Sequence, residues 1–222
     1  MPFIGVQPAS ALLTSADIQD GQITTAKIAD DAVGNTKLDL TANYAFTGTI
    51  TGTGMALLLD ATISSAVSEY DISSTYINST YDNYYLDVAL HPATDDTVPY
   101  MRPIVGGSVV TSGISYATYG IENGLVFGDN TAYIRLSRSP VGNADGETIT
   151  ISGHLQNVNS TTIPFAFSAL NNSTKIDGQH EGSICTGGLV PASRASVVNG
   201  LRFYFSSGNI ESGTVKLYGL RT

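Results

Sequence analysis

From Leu57 onward the chain is a succession of short runs in which apolar and polar residues alternate, separated by stretches of Gly, Asn, Asp, Ser and Pro. A strand sends successive side chains to opposite faces, so alternation marks a half-buried strand, and the intervening residues are those that turns demand. In "LRFYFSS" Leu201, Phe203 and Phe205 share one face; in "TVKLYGL" Val215 and Leu217 oppose Lys216 and Tyr218. The same reading makes strands of "LLLDATISSAV", "YYLDVAL", "PYMRPIVGG", "ISYATYG", "AYIRLS", "TITISGHL", "IPFAFSAL" and "GSICTGG". Turns are expected at "HPATDDT", "VGNADGE" and "SSGNIESG", with Asp145-Gly146 a strong turn dipeptide. Strands at this spacing predict one antiparallel β-sandwich over residues 57–222. Its functional residues are expected on loops at one end, for which "HPATDDT", "IENGLVFGDN" and "VGNADGE" are the candidates.

Residues 18–56 follow a different rule. In "IQDGQITTAKIADDAVGNTKL" the apolar residues Ile18, Ile23, Ile28, Val33 and Leu38 fall at every fifth position, and the spacing of Asp and Lys between them makes the full repeat a decapeptide. A five-residue step turns an α-helix by about 140° and scatters these side chains around the cylinder, while on a strand it sends them to opposite faces. The run is too short to stack upon itself as a solenoid. Identical copies wound about a common axis, with these five residues pointing inward, supply the missing surfaces, so the pattern is written for self-association. A pentapeptide-repeat coil and a polar linker remain alternatives. Residues 41–56, "TANYAFTGTITGTGMA", complete a neck, and residues 1–17, with Pro2 and Pro8 and no clear period, read as an extended arm.

Composition narrows the function classes. Only 13% of residues are charged against 23 glycines, and runs of helix formers are few, which agrees with an all-β chain. The net charge is −9 and the 10 Lys and Arg are scattered, which argues against a nucleic-acid partner. No apolar stretch has membrane-spanning length, and the first residues lack the basic and long apolar regions of a secretory signal. The single cysteine, Cys185, excludes an internal disulfide and reads as a small apolar residue in a strand.

The segments "FIGVQP", "LTSADIQDGQITTAKIADDAV" and the closing "ESGTVKLYGLRT", together with "YDNYYLDVALHPATDDTVPYMR", resemble tail-fibre and related appendage proteins of tailed bacteriophages. The resemblance implies a homotrimeric virion protein, assembled in the host bacterial cytoplasm, whose β domain is jelly-roll-like. It assigns Pro2, Phe3, Ile4, Gly5, Val6, Gln7 and Pro8 to docking onto other virion proteins, and Ile18, Ile23, Ile28, Val33 and Leu38 to a trimer-forming neck. Known fibres have a long shaft; here the repeat runs almost directly into the β domain, which leaves open a short fibre, a fibre adaptor or a capsid decoration.

Residue clusters that could carry chemistry are few. His91, His154 and His180 are well separated, show no metal-ligand spacing and read as solvated loop positions. Asp95-Asp96 and Asp145-Gly146-Glu147 lack a full calcium spacing. No nucleophile elbow is present. The expectation is a non-enzymatic protein without cofactor or metal. Tyr76, Tyr81, Tyr84, Tyr85, Tyr100, Tyr116, Tyr119 and Tyr133 divide between core positions and a platform for a bacterial surface glycan, since a tyrosine offers a flat apolar face and a hydroxyl.

Overall fold

The computed structural model of the chain describes residues 54–193 and 196–220. The docking positions Pro2 to Pro8, the arm and the neck positions Ile18, Ile23, Ile28, Val33 and Leu38 lie outside the described residues. The described part is all-β. Its strands are Met55–Ile63 (β1), Tyr70–Ile72 (β2), Asn83–Pro92 (β3), Pro99–Val105 (β4), Ser108–Val109 (β5), Ile114–Gly120 (β6), Gly124–Thr131 (β7), Ile134–Arg135 (β8), Ile149–Gln156 (β9), Ala166–Thr174 (β10), His180–Leu189 (β11), Val198–Phe205 (β12) and Ile210–Leu220 (β13).

Two antiparallel sheets enclose the core in a sandwich-like arrangement. The large sheet has eight strands in the order β1-β13-β3-β9-β10-β11-β6-β7. The small one runs β2-β12-β4-β5, with β8 also paired to β4. Alternation does what the sequence asks of it. Along β9, Ile149, Ile151 and Leu155 are buried while Thr150, Ser152, His154 and Gln156 are exposed. Along β12, Leu201, Phe203 and Phe205 point inward with Val198. They meet Leu86, Val88, Leu90, Val215 and Leu217 of the large sheet in one core. Full burial of each such side chain contributes about 1.5–3 kcal/mol, which fixes the register, because a one-residue slip would turn every one of them to water.

The inner face of β11 and β6 is covered by the segment that contains β8. Ile134 and Leu136 of that segment are fully buried, and Gly187 must lack a side chain because a Cβ there would lie 2.9 Å from Ile134 Cδ1. Cys185 on β11 is buried, as expected, and burial pushes its thiol up to about 12.

Three sequence expectations are corrected. β1 ends at Ile63 rather than continuing to Val67, which pairs alone with Ile210 through two backbone bonds of 2.9 and 2.8 Å. "IENGLVFGDN" is not a loop: only its first three residues are outside β7, whose consecutive apolar residues Leu125, Val126 and Phe127 hide the alternation. His91 and His180 sit on strands β3 and β11, not in loops, while His154 lies on β9, the strand expected of "TITISGHL".

Candidate functional site

The outer face of the small sheet gathers aromatic rings and guanidinium groups. On β4, burying Met101 and Pro103 sends Tyr100 and Arg102 outward; on β12, burying Leu201, Phe203 and Phe205 does the same for Arg202 and Tyr204. Register then aligns them: Tyr204 lies opposite Tyr100, which lies opposite Arg135, and in the next row Asp71, Arg202 and Arg102 are neighbours. Tyr133 stacks on Tyr100 with ring centroids 4.0 Å apart, and Tyr204 tilts against Tyr100 at 5.5 Å. The Arg102 guanidinium sits 4.6 Å from the Tyr204 centroid, within cation–π range.

The two arginines of that row are held differently. Arg202 grips Asp71 through Nε and Nη2 at 2.8 and 2.7 Å, and its Nη1 lies 2.7 Å from Glu69 Oε1. Arg102 donates Nε–H to the Ala132 carbonyl at 2.7 Å, and Arg135 donates to the carbonyls of Ser137 and Arg138. Neither Arg102 nor Arg135 meets a carboxylate among the described residues. In a chain of net charge −9, these two cations beside three tyrosine rings make a local site for an anion. Burial, together with the neighbouring Tyr133, pushes the Tyr100 hydroxyl up to about 12, and burial also raises Tyr204. Both phenols are therefore neutral at physiological pH and can donate hydrogen bonds.

The other sequence candidates disperse. Tyr84 is fully buried, and Tyr76 and Tyr81 pack on the core, Tyr81 edge-on to Tyr84 at 5.8 Å. Tyr116 is the exception: it faces inward from β6 yet tilts against Tyr133 of the site, with ring centroids 5.9 Å apart. Tyr85 contacts Tyr218 and His154 on the outer face of the large sheet, and Tyr119 lies further along that face. His91 lies between the Glu147 carbonyl at 2.6 Å and Glu211 Oε2 at 3.3 Å, and His180 Nδ1 is 3.2 Å from Thr174 Oγ1. Sequence reading passed over Tyr204 and Arg102. The signal was present: "PYMR" and "RFYF" both alternate, so their Tyr and Arg share the outer side of whatever sheet buries Met101 and Phe203.

Two of the three candidate loops do meet. Thr97 and Val141 exchange backbone bonds of 3.1 and 2.7 Å, and the Asp95 carboxyl accepts from the Asn143 amide at 3.3 Å. The Asp145-Gly146 turn forms as expected, with Glu147 N–H donating to the Ala144 carbonyl at 2.9 Å and Gly146 at φ 87°. Asp95 also caps the Asp96 amide, and no group of three or more His, Cys, Asp or Glu among the described residues is placed to hold a metal ion. Comparison of the chain with protein-family models, with curated proteins and with solved structures finds no match.

Proposed function

We propose that the protein is a structural virion appendage of a tailed bacteriophage: a short homotrimeric fibre that docks through residues 2–8, trimerises through residues 18–38 and projects its β domain outward. The observation that carries this reading is the spacing of Ile18, Ile23, Ile28, Val33 and Leu38, which fits neither one helix face nor one strand face and which copies wound about a common axis would bury. The β domain then acts as a capping and binding module without hydrolytic activity. Its strand order supports a jelly-roll connectivity, since β1, β13, β3 and β9 alternate in sequence with β2, β12, β4 and β8 of the opposite sheet. The hairpins β6–β7 and β10–β11 are additions that widen one sheet.

The ligand that best suits the small-sheet face is an acidic surface glycan. A sugar ring would stack on Tyr204 or Tyr100 while its carboxylate or phosphate met Arg102 and Arg135. Three linked copies raise the effective concentration of a weak individual site.

Attachment to the capsid is the second reading, favoured by the brevity of the stretch between Leu38 and the start of β1 at Met55, which leaves little room for a shaft. Imaging of particles carrying a label on the β domain tests both. Label at the tail supports the fibre and label over the capsid supports a decoration protein. Unlabelled particles would refute both.

A further inference from the structure

The outer face of the large sheet changes character halfway across. One cross-strand row begins with Asp60, Lys216, Asp87 and Ser152 on β1, β13, β3 and β9. It continues in register through Leu170, Ile184, Tyr119 and Leu125 on β10, β11, β6 and β7. The first half is polar, with Lys216 and Asp60 3.6 Å apart. The second half is a ridge of large apolar side chains exposed by 66, 52, 50 and 56% respectively. Ile121 and Phe127, each 72% exposed, extend it; Ile121 lies over Gly182, where a Cβ would come within 2.8 Å of its Cδ1.

Beside the ridge the sheet is hollow. On β10, β11 and β6 the next two rows are Ser168, Thr186 and Ala117, then Ala166, Gly188 and Ser115, all small, and Phe127 on β7 closes the first of them. They floor a trough of about 600 Å³ bordered by Pro164 and Pro191. Adjacent rows on one face lie about 7 Å apart, so a trough two rows wide has the width of one row of Leu, Ile and Tyr side chains.

We propose that this ridge and trough are the surface through which copies of the β domain pack on one another, the ridge of one copy entering the trough of the next. The proposal rests on the self-association put forward above and says where on the β domain it continues. Large side chains carry roughly 150–250 Å² each, so six of them at these exposures offer on the order of 600 Å² of apolar surface. That is at the upper end of what a monomer leaves open, and approaches the ~800 Å² per partner of a stable interface. A second copy is the occupant that fits. The face carries one carboxylate in this half, Asp129 on β7 at the end of the trough, to which Ser115 Oγ donates at 2.6 Å, so the ridge itself offers nothing that selects a charged partner. It also holds both complementary shapes side by side, so each copy offers its neighbours a ridge and a trough. The strands that widen the sheet are the ones that carry the patch.

Thiol labelling of the full chain tests this. Cys185 is buried and its thiol raised, so the unsubstituted protein serves as the blank. Ile184→Cys sits on the ridge, and Thr62→Cys sits on the same sheet face in the polar half. With maleimide in excess, Ile184→Cys is expected to react at least ~tenfold more slowly than Thr62→Cys, because labelling must await opening of the contact. In the Ile23→Asp/Ile28→Asp background, which breaks the neck, the two rates should converge. Equal rates in a full chain whose mass is that of an oligomer would overturn the ridge-and-trough contact and leave self-association standing. A single-chain mass for the full chain would overturn both. Slow labelling that persists in single chains would also overturn it, since the protection would then be internal.

Discussion

Gly142 is placed so that replacing it by alanine tests the architecture of the loop end directly. A Cβ at position 142 would lie 2.1 Å from Glu147 Oε2, 2.6 Å from Glu147 Cδ and 2.9 Å from the Ile176 Cα. The Glu147 side chain cannot swing away at no cost, because it is only 7% exposed and its Oε2 accepts the Ala144 amide at 2.8 Å. Displacing the carboxyl leaves a partly buried donor unpaired, which costs about 1–3 kcal/mol, and crowding against the Ile176 backbone adds ~1 kcal/mol. The expected loss is about 3 kcal/mol, or roughly 6–12 °C in Tm for a domain of this size. Thermal denaturation at fixed chain concentration measures it. Glu147→Ala supplies the control: in that background Gly142→Ala should cost only ~1 kcal/mol, leaving a coupling of about 2 kcal/mol between the positions. Additive losses in the double variant would refute the contact.

Tyrosine ionisation gives a second expectation. Tyr100 is raised to about 12 from 10.0, and burial raises Tyr70, Tyr84, Tyr116 and Tyr204 in the same direction. An acid whose folded pKa lies above its unfolded value holds its proton more tightly in the folded state, so this stability is full below pH 10 and lost as pH rises towards 12. Absorbance titration should show a late tyrosinate class that appears together with unfolding. On an array of acidic and neutral oligosaccharides, the full chain should favour acidic ones, and Arg102→Ala and Tyr204→Ala should each weaken binding about tenfold, the equivalent of ~1.4 kcal/mol. Deleting residues 1–10 should leave a soluble oligomer that no longer joins the particle.

Alternation made the strands legible wherever one face was buried and the other wet. β9 falls where its pattern puts it, β12 and β13 overlap theirs, with β13 beginning at Ile210 inside the expected turn "SSGNIESG", and Asp145-Gly146 forms its turn. β7 escaped because its outer face is apolar, so Leu125 and Phe127 break the rule that outward residues are polar. That failure and the exposed ridge have one cause. β2 and β5, three and two residues long, are too short for a period to show. Alternation sorts Tyr84, on the face of Leu86 and Val88, from Tyr100, on the face opposite Met101, but it does not say which other rings Tyr100 meets. The Tyr–Arg face needs cross-strand register, a long-range property that the chain does not write locally.

Solution mass at micromolar chain concentration tests the central claim, that the repeat at residues 18–38 binds copies of this chain about an axis. The account predicts three chains of 23.2 kDa for the full protein. It predicts one chain, its β domain still folded by circular dichroism, for Ile23→Asp/Ile28→Asp, because an unpaired charge on an apolar axis costs several kcal/mol. A single-chain mass for the unsubstituted protein, or an oligomer untouched by the two aspartates, would contradict it.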